Sequence, residues 1–289
     1  MPIPVFFSEF CSAPTESFSP SSRKPALAVA EWQRLGLPIQ VIEAAPAGDD
    51  HLCYAHHQKY VKGVMSSKLN NGFGNTNPAV AASLRYTVGA MMGASLFVAQ
   101  MKQQGIVTAA CAPVSGFHHA GFYQASGFCT FNGLVIAARQ VLRKTEMKKV
   151  AILDFDFHYG DGTDYILEYL RLNDSIFHFT AGEDYRSPDK ANKLLDKTAS
   201  VVEAAKRFGA EMVIYQAGAD QHVADPLGGI FTSKQLRMRD ALVFNACKTH
   251  GLPVAWNLAG GYQQGRDGNI QPVLDIHTQT MRECISVFG

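Results

Sequence analysis

The sequence lacks a cysteine framework. Its six cysteines, Cys11, Cys53, Cys111, Cys129, Cys247 and Cys284, are scattered and form no CxxC pair. That spacing excludes a disulfide scaffold and fits a reducing compartment. An excess of charge is also missing. The 26 Lys and Arg residues balance 25 Asp and Glu, a formal net charge of +1, so bulk charge attracts neither nucleic acid nor an anionic membrane. No long apolar run is present. The stretch Val88 to Met101 is broken by Gly89, Gly93, Ser95 and Gln100, is too short to span a bilayer, and reads as a core helix. The opening MPIPVFFSEF has no basic start of the signal-peptide kind. These absences point to a soluble, cytoplasmic protein with neither nucleic-acid nor membrane partners.

What is there is apolar and regularly alternating. The chain has 289 residues, 47% hydrophobic and 18% charged, enough to bury a sizeable core. We read one domain over 1–289, with no repeat and no linker. Strands are predicted at Val5–Glu9, Ile39–Glu43, Lys149–Asp156, Ser175–Thr180, Met212–Ala217 and Val254–Ala259. Helices are predicted at Pro25–Leu35, Ala79–Gln103, Asn132–Arg143, Tyr165–Leu172, Ala191–Phe208, Ser233–Thr249 and Pro272–Val287. This alternation predicts an α/β fold with a parallel sheet between two helical layers. The polar Ser12–Ser21 and Asn70–Asn77 segments read as loops, either surface excursions or a rim around a site.

The runs VAILDFD and MVIYQAGA are apolar until their last residues, where chemistry begins. A strand alternates faces, so Asp154, Asp156 and His158 share a side if the strand continues, and such O and N donors suit Zn²⁺ or Fe²⁺. Read singly, they are caps and turns before the next helix. Asp220 ends the second run and offers a third ligand. His222 could be a further ligand but reads better as an outer or surface group, and Asp225-Pro226 reads as a turn or cap. His118-His119 is followed by Gly127-Phe128. Adjacent histidines on extended chain point apart, so they read better as acid/base groups than as a ligand pair. Each needs a carboxylate behind its far nitrogen, and Asp154 and Asp161 are of the right kind. Tyr262, after Gly260-Gly261, offers a hydroxyl to a developing oxyanion. His51, His56, His57, His178, His250 and His277 read as surface or packing residues.

In this order, the blocks GFHHAGFYQASGFCTFN, AILDFDFHYGDGT, YQAGADQHVADPLGG and NLAGGY resemble the histone deacetylase and acetylpolyamine amidohydrolase superfamily. The resemblance implies an arginase–deacetylase three-layer α/β/α sandwich with a mostly parallel, about eight-stranded sheet. It implies zinc held by Asp156, His158 and Asp220, with His119 as general base and His118 in support. Asp154 and Asp161 would back these histidines, Tyr262 would polarise the carbonyl, and Gly127 and Phe128 would line the acyl slot. The implied reaction removes an acyl group, usually acetyl, from an acylated amine such as acetyl-lysine or an acetylpolyamine. The second histidine after the metal aspartate is Tyr159 here, and the His-Pro-Glu motif is replaced by Phe18–Arg23. Phe177–Thr180 departs from the Ser-Leu-His of the family's potassium loop, so a structural K⁺ is left open, as is a homo-oligomer. No acid in Asn70–Asn77 matches the substrate-clamping aspartate. A dinuclear ureohydrolase of the arginase type would need an acid at Gly160. An inactive acyl-lysine-binding module would be expected to lose one of the residues that are all present.

Overall fold

The computed structural model describes residues 1–15 and 17–289. Seven strands form one sheet: β1 (Ile3–Phe7), β2 (Ile39–Glu43), β3 (Ala109–Ala112), β4 (Val150–Asp154), β5 (Ile176–Thr180), β6 (Met212–Gly218) and β7 (Val254–Ala259). Their order is β2-β1-β3-β7-β6-β4-β5, and every pairing is parallel. The helices are α1 (Lys24–Arg34), α2 (Asp49–Leu52), α3 (Gln58–Met65), α4 (Pro78–Gln103), α5 (Gly133–Lys144), α6 (Asp161–Tyr169), α7 (Ala181–Asp184), α8 (Ala191–Phe208), α9 (Ser233–Thr249) and α10 (Gln271–Phe288). They pack as two groups, α3-α4-α5-α6 and α8-α9-α10-α1, which flank the sheet. This is the expected α/β class, with seven strands where about eight were expected. The edge strand β2 shows why the sheet can stop there: Gln40, Val41 and Glu43 are exposed, and polar and charged edge residues discourage a further partner.

The central strands β4, β6 and β7 are buried along their whole length, as parallel strands covered on both faces must be. Sequence reasoning overlooked β3, whose residues Ala-Ala-Cys-Ala carry no branched or aromatic signal. Their small size suits a position under α4, the long helix that contains the expected core stretch. Several boundaries also move, the first strand to Ile3–Phe7 among them, and two of these shifts bear on the site. The strand read as Lys149–Asp156 ends at Asp154, because the Asp154 carboxylate accepts the Asp156 N–H and Asp156 accepts that of His158, each at 3.0 Å. These side-chain turns replace the ladder. The helix expected from Tyr165 begins at Asp161, with Asp161 and Asp164 in its positive first turn.

One buried histidine ties the layers together near the site. His56 donates from Nδ1 to the Gly121 carbonyl (2.9 Å) and accepts the Asn132 N–H at Nε2 (2.7 Å). Asn132 caps α5, and Gly121 belongs to the loop that carries His118 and His119. Burial drives the His56 pKa down from 6.5 to about 3, so the folded state holds it neutral. The unfolded chain therefore binds the extra proton first. The contribution of His56 to stability is complete above pH 6.5 and is lost as pH falls toward about 3. Chemical denaturation across that window should show an acid destabilisation of about 1.4 kcal/mol per pH unit that His56→Gln lacks.

Candidate metal centre

The carboxyl ends of β4, β6 and β7 converge, and three donors meet there. One ligand atom from each of Asp156, His158 and Asp220 lies within 4.8 Å of the others. His158 Nδ1 stands 3.2 Å from Asp156 Oδ1 and 2.9 Å from Asp220 Oδ2. Burial pushes the Asp220 pKa well above its ordinary value, and the neighbouring Asp156 adds to this. Asp156 resists the same burial because His118 and His158 hold it below the usual carboxylate range. Two carboxylates and an imidazole so placed could hold a divalent cation shared between them, since O and N donors suit such an ion. Asp154 is not in this group, contrary to the simple strand alternation. With the strand ended, it turns to His118 Nδ1 (2.8 Å) and accepts from Gln216 Nε2 (2.9 Å).

The paired histidines are brought together rather than splayed. Their segment is not extended: the Ala120 N–H turns back to the Phe117 carbonyl, and the ring centroids lie 4.0 Å apart. His118 Nε2 is 3.6 Å from Asp156 Oδ1. His119 Nδ1 pairs with Asp161 at 2.6 Å, and its ring lies 6.0 Å from that of His158. Each histidine thus has its own carboxylate, but the settings differ. The Asp154 side chain is fully buried, whereas that of Asp161 is 57% exposed. Burial alone would discharge His118, but Asp154 and Asp156 overcome it and raise the pKa to about 9. At His119 burial wins, aided by the neighbouring His118, and the pKa falls.

A narrow cavity of about 10 Å³ leads to this point, lined by Gly127, Phe128 and Tyr262 together with His118 and Asp156. Phe128 adopts a φ of +61°, a conformation that costs a bulky residue energy. It is held by a hydrogen bond from its N–H to the Gly72 carbonyl (3.1 Å) and by ring contacts with Phe73 and Tyr262. Tyr262 also stacks on Phe18 at 5.9 Å and is nearly buried, which raises its pKa and keeps the phenol protonated. Gly260 has a φ of +48°, and a Cβ there would lie 2.3 Å from the Asp220 carboxyl carbon. Only glycine lets the β7 end pass so close to the centre.

The histone deacetylase domain model matches residues 20–181, more than half of the chain. The chain belongs to the histone deacetylase family. An uncharacterized protein of Picosynechococcus is 28% identical to this deacetylase-family chain over 246 residues, 79% of this chain and 78% of that protein. Histone deacetylase 2 of Arabidopsis thaliana is 31% identical over 52% of this chain and 43% of its own length. The acetoin utilization protein AcuC of Staphylococcus aureus is 28% identical over 66% of this chain and 57% of its own. The chain therefore spans about half the length of these last two relatives. The crystal structure of the HDA15 HD domain superposes with a TM-score of 0.78 at 22% identity, covering 99% of this chain and 90% of that one, which supports the shared fold. The family match ends before Asp220 and Tyr262, and it is the folded geometry that joins them to the histidine pair.

Three supporting residues of this deacetylase-family site escaped sequence reasoning. Gln216 lies inside the apolar run MVIYQAGA with no signal of its own, yet it holds Asp154. Lys24 is fully buried and donates to the Gly260 carbonyl. Burial pulls its ammonium down to about 8, against the attraction of Asp220, Asp156 and Asp225. Asp225, read as a turn residue, does cap Leu227 N–H (3.0 Å), but its other oxygen accepts the Tyr262 N–H at 2.7 Å. His222 stays outside the centre and bonds Ser233. His178 pairs with Asp164 at 2.6 Å.

Asp225 thus positions the Tyr262 backbone, and among the described residues it has no hydrogen bond to Asp156, His158 or Asp220. Asp225→Ala should keep metal content and lower kcat by about tenfold, the effect of losing one hydrogen bond to a charged group, with little change in KM. Asp225→Asn retains a carbonyl acceptor and should restore part of the loss. Steady-state kinetics alongside metal analysis would test this, and an unchanged kcat in the alanine variant would remove Asp225 from the positioning role.

Proposed function

We propose that this chain is a zinc-dependent deacylase that hydrolyses the amide of an acylated amine, such as acetyl-lysine or an acetylpolyamine. The observation that carries the reading is the pair of carboxylate-backed histidines set against the Asp156–His158–Asp220 donors. Asp156, His158 and Asp220 would hold a Zn²⁺, which would supply Lewis acidity and a water of pKa near ~7. The chain's own groups do the rest. The two imidazoles differ in setting: His118 rests on the fully buried Asp154 and His119 on the exposed Asp161. Neutral His119, with Nδ1–H fixed on Asp161, takes the water proton at Nε2. His118, anchored on Asp154, gives electrostatic support to the negative charge that develops. The water oxygen bonds to the acyl carbon, and the Tyr262 hydroxyl donates to the oxyanion. Return of the proton to nitrogen lets the C–N bond break, releasing the amine and a carboxylate. The aromatic faces of Phe128 and Tyr262 suit an apolar acyl-bearing arm.

A panel of acetyl-lysine peptides, acetylpolyamines and small acetylated amines, assayed on zinc-loaded protein, tests the reading. Turnover of none of them would overturn it. Metal analysis should find one divalent ion per chain, and Asp220→Ala should lose it, because two ligands rarely retain zinc against solvent. Two ions per chain would instead favour dinuclear chemistry.

The catalytic groups separate from the metal by kinetics. His119→Ala should keep the ion and the fold and cut turnover by about 10²–10⁴. Tyr262→Phe keeps the ring and should lower kcat by about 10²–10³ while KM moves little. Full turnover in either variant would remove that residue from the mechanism.

A further inference from the structure

Backbone pairing between β4 and β6 stops just short of the metal centre. Its last bond runs from the Phe155 N–H to the Gln216 carbonyl (3.0 Å). Beyond it, side chains join the two segments. Asp220 Oδ1 accepts the Phe157 N–H, and Gln221 Nε2 donates to the Asp156 carbonyl, each at 3.1 Å. These two groups belong to one peptide unit, the one between Asp156 and Phe157. In a trans peptide the oxygen and the hydrogen point opposite ways, so the unit is gripped at both edges by neighbouring residues of the β6 loop.

Asp220 in this clamp is itself one of the three donors, whereas Gln221 carries no carboxylate or imidazole. Gln221 is fully buried, and its own carbonyl accepts the N–H groups of Ile230 (2.8 Å) and Phe231 (2.7 Å), so its side chain extends from an anchored base. Turned over, its amide would set Oε1 against the Asp156 carbonyl oxygen, acceptor against acceptor, so Nε2 is the atom that faces it. On the other side of the Asp156 Cα, the Asp156 N–H rests on Asp154 Oδ1 (3.0 Å). The Asp156 carboxylate therefore leaves from a main chain fixed on both sides. Any donor would satisfy a buried carbonyl, but this donor comes from the residue next to the facing ligand, and it ties the place of Asp156 to that of Asp220.

We propose that Gln221 is a positioning residue of the metal centre. By holding the Asp156–Phe157 peptide against the β6 loop, it sets the spacing of the Asp156 and Asp220 carboxylates, and with it the affinity and the coordination geometry for a divalent ion. The proposal rests on the zinc reading above.

Zinc affinity, measured by competition with a chromophoric chelator, and the visible absorption of the Co²⁺-substituted protein test it. Gln221→Met keeps the length of the side chain and removes the donor. It should weaken zinc by about 10–100-fold, the usual effect of losing a residue that orients a ligand, and should shift the Co²⁺ bands. Gln221→Asn, one methylene short, should do the same. Val202→Ala, in the buried face of α8, should lower the melting temperature and leave zinc affinity and the Co²⁺ bands unchanged. The proposal is overturned if Gln221→Met binds zinc as tightly as the unaltered chain with the same Co²⁺ spectrum, or if Val202→Ala weakens zinc equally. An unaltered chain that binds neither ion would instead overturn the zinc reading, and this proposal with it. Should the Gln221 variants fail to fold, hydrogen exchange in the unaltered chain decides. The Phe157 amide and the Gln221 side-chain amide should exchange slowly with or without zinc, and protection that appears only with zinc would overturn the clamp.

Discussion

Asp156 and Asp220 are buried against each other, and two carboxylates that close, out of water, repel strongly. Nothing in an apolar core would hold them there unless the surroundings supplied positive charge. The chain supplies it from several directions. His158 stands between them, His118 approaches Asp156 from the side, and Lys24 lies buried behind the β7 end. Asp156 and Asp220 come from the ends of neighbouring strands β4 and β6, so sheet formation itself enforces their approach. Folding therefore delivers a concentrated negative site, which a divalent cation is suited to complete.

The outer residues can be understood as ways of holding this arrangement still. Gln216, on β6, restrains Asp154, which restrains His118. Lys24 holds the Gly260 carbonyl, and Asp225 holds the Tyr262 N–H two residues later. Each such contact costs side-chain freedom, and each removes one way for the centre to relax away from a bound ion or substrate. The left-handed Phe128 belongs to the same economy of constraint: a strained backbone persists because its neighbours leave it no alternative.

Much of this was legible in the sequence because it is written locally. Apolar runs that end in Asp154 and Asp220 announce central strands with chemistry at their ends, and the four ordered blocks carried the family and the fold class. The features that escaped share one cause, which is dependence on a partner far along the chain. Lys24 reads as a surface lysine until the fold sets it beside Gly260, and Asp225 reads as a turn until Tyr262 arrives. The His118-His119 pair was expected to diverge, which holds only for extended backbone; a local turn sets the rings side by side. The small strand β3 escaped for the opposite reason. Its residues are chosen for the helix above it, and they carry no periodic signal of their own.

The hydrogen bond between Asp225 and Tyr262 joins two loops that are separate in sequence, one after β6 and one after β7. Neither loop can swing outward alone without exposing a buried carboxylate or a buried amide. The tyrosine side of the slot should therefore open as a single cooperative unit, and amide exchange at Tyr262 should keep pace with exchange at Leu227, whose N–H rests on the same carboxylate.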